Sequence, residues 1–136
     1  MIEMKVKGIS VDQTGDFLVL LVDHEETKVL PVSIGKLEAQ SILMPMEGIE
    51  PPRPMTHDLF KVAIEELGAK LEKVVITKIE NSTYYAEIHM RQGERDIVLD
   101  SRPSDAIALA LRCDAPIFIK FPLIEFTYDF SDIKFI

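Results

Sequence analysis

Asp100-Ser101-Arg102-Pro103-Ser104-Asp105-Ala106-Ile107-Ala108-Leu109-Ala110 joins an alternating strand pattern to an apolar helical one. Proline at the join presets φ for a first helical turn and forfeits no hydrogen bond there. Asp105 falls in that first turn, where the helix dipole and free N–H groups favour an anion. Ala106, Leu109, Ala110 and Cys113 recur at helical spacing, so the helix is expected to bury a face. Two carboxylates, a guanidinium and two hydroxyls thus converge where a strand meets a helix, and a phosphate can bind at such a place. A well-capped core helix accounts for the same residues without any ligand.

Outward from this stretch, the chain reads as alternating strands and short helices. Met1 to Val11 and Asp16 to Asp23 are expected strands, joined by the Asp12-Gln13-Thr14-Gly15 turn. The continuous apolar run Phe17-Leu18-Val19-Leu20-Leu21-Val22 predicts a strand covered on both faces. Lys28 to Ile34 is a third strand, with Pro31 marking an edge or a bulge. A short helix begins near Gly35-Lys36-Leu37-Glu38 and ends near Pro45, and a proline-rich loop leads to Met55. Thr56 is placed to cap a second helix that runs to about Gly68 and buries Phe60, Ile64 and Leu67. Strands follow over Leu71–Ile79, Thr83–Arg91 and Arg95–Leu99, then the helix at Pro103, then a last strand at Pro116–Ile119.

Strand, strand, strand, helix therefore occurs twice. Placing Glu38-Ala39 on Asp105-Ala106 sets Leu30 against Ile97, Val32 against Leu99 and Phe17 against Tyr84. This suggests an internal duplication with the Thr56 helix inserted, and it makes Glu38 and Asp105 equivalent helix-start residues. The expected class is α+β: a mostly antiparallel sheet with helices packed against it. Residues 1–120 form the domain. Residues 121–136 form an aromatic tail, in which Phe126, Tyr128 and Phe130 alternate with polar residues like a strand. Phe121, Phe126, Tyr128, Phe130, Phe135 and Ile136 crowd that tail, which is expected to pack on the domain and contribute to a homodimer.

The chain has 136 residues, enough for one domain with a real core. No apolar run reaches the length of a membrane span, and the N-terminus lacks a signal peptide's apolar block, so a cytoplasmic protein is expected. The single cysteine, Cys113, rules out an internal disulfide and sits at a core-like position. The net charge of −8 argues against nucleic-acid binding through a broad basic surface, though not against a local basic patch.

No phosphate-binding glycine loop, cysteine pair, His-Glu-x-x-His or Gly-x-Ser-x-Gly is present. Two Arg-Pro pairs stand out instead. Arg53-Pro54-Met55-Thr56-His57-Asp58 enters one helix and Arg102-Pro103-Ser104-Asp105 another. Arginine suits phosphate because its fork binds two oxygens at once, although each Arg could simply pair with a local Asp. His57 is placed for general-base work, whereas His24 lies in a charged turn and His89 on a polar strand face. Asp100, Asp105, Asp58 and Glu38 are the carboxylates that could hold a hard divalent cation such as Mg²⁺. Helix capping also accounts for Asp58 and Asp105, and a polar strand end accounts for Asp100.

The Asp100–Ala110 run resembles the signature of the bifunctional nuclease domain. The Arg53–Leu59 stretch, Ile34-Gly35 through Glu38-Ala39, and the Tyr85-Ala86 strand resemble that family too, so the likeness covers about residues 1 to 120. It implies a nuclease acting on DNA and RNA, as in plant members. Some bacterial members carry a further helical UvrB/UvrC-type motif, for which this chain leaves no room. The expected function is a small nuclease, with Glu38, Asp100 and Asp105 as metal ligands. His57 would be its base or leaving-group acid, Arg102 and Arg53 would stabilise phosphate charge, and nucleic acid would be its substrate. The rival is a non-catalytic regulatory module that binds an anion or a protein partner, which the net charge favours.

Overall fold

The computed structural model describes residues 1–133, so the expectations for Phe135 and Ile136 lie outside the described residues. Three strands, β1 (Ile2–Val11), β2 (Phe17–Asp23) and β3 (Lys28–Ile34), form an antiparallel meander and lead into helix α1 (Lys36–Met46). Helix α2 (Thr56–Glu66) follows. A second meander, β4 (Ala69–Glu80), β5 (Thr83–Gln92) and β6 (Arg95–Ser101), then leads into α3 (Pro103–Cys113). The short β7 (Ile117–Ile119) joins the two meanders, pairing antiparallel with β1 and parallel with β4. With β8 (Tyr128–Asp129) on β3, the sheet order is β6-β5-β4-β7-β1-β2-β3-β8. The class is α+β, as the alternation of patterns implied.

The offset of 67 residues between Glu38 and Asp105 also carries β3 onto β6 and α1 onto α3, residue for residue. It fails for β2. Ile34 pairs with Phe17, but its counterpart Ser101 pairs with Ala86, so Ala86 and not Tyr84 stands in Phe17's place. The His24–Thr27 turn of the first meander is two residues longer than the Gly93-Glu94 turn of the second, which accounts for the shift. A slip of two keeps every side chain on its own face, so the shared pattern survives.

Helix α3 lies on the sheet between α1 and α2. From Pro103 to Ala110 every residue except Asp105 is buried, more than one apolar face. Val19 and Leu21 of β2 enter the core under the helices, while Leu20 and Val22 join Val29 in a second cluster with Phe130 and Ile133. This is the two-sided burial expected of that strand. Pro31 lies beyond the two-residue pairing with β8, where the outer edge of β3 is open among the described residues.

Three expectations change. The N-cap of α2 is Met55, because Asp58 reaches back to accept its N–H at 2.9 Å, leaving Thr56 inside the helix. Of the α2 apolar residues only Ile64 is buried, while Phe60 and Leu67 stay exposed, because the helix touches its neighbours along a narrow line. The tail is not one strand. Pro122 sits in a 3₁₀ segment over Phe121–Phe126 that buries Leu123, and only Tyr128–Asp129 pairs with the sheet. No helix among the described residues is long and apolar enough to cross a membrane.

Candidate active site

The starts of α1, α2 and α3 meet above the end of β6. Helices α1 and α3 each carry a carboxylate at the third helical position, Glu38 and Asp105, by virtue of the repeat. Arg102, the N-cap residue of α3, reaches both. Its Nε donates to Asp105 Oδ2 at 3.0 Å, one terminal nitrogen donates to Asp105 Oδ1 at 3.2 Å, and the other donates to Glu38 Oε1 at 3.2 Å. The corresponding N-cap of α1 is Gly35, so one arginine serves the carboxylates of both halves. Glu38 folds back over Gly35 so closely that a Cβ there would lie 2.2 Å from Glu38 Oε2.

His57, on the first turn of α2, places Nε2 2.8 Å from Asp105 Oδ1. Burial pushes the Asp105 carboxyl up, but the hydrogen bonds and charges of Arg102 and His57 outweigh it and hold the group below the usual carboxylate range. An ionised carboxylate only accepts, so His57 Nε2 carries a hydrogen and donates it to Asp105 Oδ1. Nδ1 has no hydrogen-bond partner among the described residues. The arrangement is an oriented imidazole beside a guanidinium that is 64% exposed. Both border a cleft of about 650 Å³ whose floor includes Ile88, Leu99 and Leu109, with Leu37 and Phe60 on its sides.

The structure thus brings together Glu38, His57, Arg102 and Asp105. Asp100 lies at the cleft rim, opposite Glu87 in the β5–β6 pairing, and bonds to neither Glu38 nor Asp105. Arg53 is exposed on the loop before α2, in no ion pair among the described residues, and does not line the cleft. Asp58 points away into the helix packing. Burial raises its carboxyl, yet Arg112, at 2.7 Å, and the Met55 N–H hold it below the usual range. Among the described residues no group of three or more His, Cys, Asp or Glu is arranged to hold a metal ion. Glu38 and Asp105 are tied to one guanidinium, so no preformed cation site can be assigned to them.

Arg112 is the residue that sequence reasoning passed over. Its side chain is 6% exposed, and besides Asp58 it donates to the carbonyls of Ser41 (2.8 Å) and Ala108 (2.9 Å), bolting α3 to α2 and α1. A signal existed: a charge inside a helix apolar nearly all round must find partners.

Residues 19–127 match the family described as bifunctional nuclease domain. The chain belongs to that family. This bifunctional nuclease domain is 40% identical to an uncharacterised protein of Mycobacterium tuberculosis over 119 residues, 87% of this chain and 71% of the relative. It is 30% identical over 106 residues to bifunctional nuclease 1 of Oryza sativa subsp. indica and 26% identical over the same length to bifunctional nuclease 2 of Arabidopsis thaliana. Those matches cover 76% of this chain but only 32% of either plant protein, so the chain spans about a third of their length. The matched range contains all four clustered site residues and both helix starts that carry Glu38 and Asp105.

Proposed function

We propose that this bifunctional nuclease domain hydrolyses phosphodiester bonds in DNA, RNA or both. The carrying observation is that His57 and Arg102 share the Asp105 carboxylate at the wall of an open cleft. In this reading Asp105 orients the imidazole. His57 Nδ1 takes a proton from water as its oxygen bonds to phosphorus, the bond to the leaving oxygen breaks, and that oxygen recovers the proton. Arg102 meets the charge developing on the phosphate, and Arg53 engages the backbone beside it. Local arginines thereby replace the broad basic surface that a net charge of −8 denies.

The test is cleavage of single-stranded DNA and RNA by highly purified full chain, with His57→Ala and Arg102→Ala purified identically. Loss of the histidine should lower the rate about 10²–10⁴-fold. Equal rates in wild type and both variants would assign the activity to a contaminant. The same assay with and without chelator and added Mg²⁺ measures whether a divalent cation takes part. A second reading rests on the occupation of Arg102 by two carboxylates together with the negative net charge: a module that binds an anion without cutting. Oligonucleotide binding without turnover would select it.

A further inference from the structure

On the other side of the Arg102–Glu38 pair from the main cleft lies a smaller cavity of about 200 Å³, between the starts of α1 and α3. Its lining is rich in hydroxyls: Thr83, Tyr84 and Ser104 face it with Glu38 and Arg102. Ser104 is 6% exposed, and its hydroxyl has no hydrogen-bond partner among the described residues. Among the described residues no fully buried side-chain polar atom lacks a partner, so the Ser104 oxygen keeps access to solvent and is free to bond a ligand in the cavity it lines. Glu38 is half used: Oε1 takes Arg102, and Oε2 has no partner among the described residues and sits over Gly35, in space open only because residue 35 lacks a Cβ.

We propose that this cavity is a ribose subsite, taking the sugar hydroxyls of a ribonucleotide whose phosphate lies at Arg102. The donor set matches the ligand. A carboxylate oxygen accepts a sugar O–H, and the Ser104 hydroxyl donates or accepts beside it. Arg102 forms the boundary between sugar and phosphate because it lines both cavities. A second phosphate fits this space poorly, since Glu38 would repel it. The subsite makes the 2′-hydroxyl a recognised group, so ribonucleotides are favoured over deoxyribonucleotides. This rests on the nucleic-acid reading above, but it is tested by binding alone.

The experiment titrates the full chain with adenosine monophosphate and with its 2′-deoxy counterpart, and measures kcat/KM on matched RNA and DNA strands. The ribonucleotide should bind about tenfold or more tightly, the size of one hydrogen bond to a charged group. Ser104→Ala and Gly35→Ala should bring that ratio close to one. Gly35→Ala acts by pushing the Glu38 carboxylate aside, without backbone strain, since φ is −79° there. Melting curves check that both variants are folded. Equal affinity for the two nucleotides, no binding of either, or a ratio that persists in both variants overturns the subsite. A ribonucleotide preference in a protein that cuts no strand keeps the subsite and removes the nuclease. Cleavage of RNA and DNA alike, with equal nucleotide binding, does the reverse.

Discussion

Asp105 carries more of the site than any other single residue, holding both the imidazole and the guanidinium through one carboxylate. Asp105→Asn keeps the shape but ends the charge and gives Arg102 a single amide oxygen. The cleavage rate should fall much further than the melting temperature. A rate per folded molecule equal to wild type would make Asp105 a structural residue. Asp105 and Asp58 also set the acid behaviour. Both carboxyls titrate below their ordinary value in the folded state. The stability they contribute is therefore complete above the unfolded carboxylate pKa of about 4 and is lost as pH falls through the lowered folded values. Thermal melts should be nearly flat between about pH 5 and 7 as far as these groups are concerned, and should drop below about pH 4. Asp58→Asn should lower the melting temperature at neutral pH and make that acid drop shallower.

At the scale of elements, α2 is the weakly held piece. It buries only Ile64, so its placement depends on the Arg112–Asp58 bond, one residue from His57. Arg112→Met strands Asp58 and the carbonyls of Ser41 and Ala108. The cost should approach the lower end of the roughly 3–5 kcal/mol seen when a buried ion pair loses one partner, because Asp58 remains partly solvated. A chemical denaturation curve measures it, and a midpoint equal to wild type would show that packing alone seats the helix. Ile107→Ala, at a fully buried position of α3, should cost about 2–5 kcal/mol through the cavity it leaves. The helix starts were legible because Pro103 and the apolar spacing are local signals. The burial of α3 on nearly all sides was not, because Ala108 reads as a neutral helix former until two other helices cover it.

For the whole molecule, the tail is held by Leu123 in the main core, by the pairing of β8 with β3, and by Phe130 and Ile133 in the second cluster, while Phe121 and Tyr128 remain exposed. Truncation after Lys120 should lower the melting temperature by uncovering Leu20, Val22 and Val29. If the exposed aromatics join two copies, the solution mass per particle should also halve. An unchanged oligomeric state after truncation would remove the tail from any dimer. Strand and helix patterning, the duplication at an offset of 67 residues, and the equivalence of Glu38 and Asp105 were all determined by the sequence, because periodicity and helix-start chemistry act over a few residues. Tertiary structure alone decided that one arginine serves both halves, that His57 meets Asp105 across 48 positions, and that Arg112 is buried. Asp100, Asp58 and Arg53 carry the same local signals as the residues that converged. What separates them is where the packed strand, loop and helix place their side chains, and that is set by contacts between residues far apart in the chain.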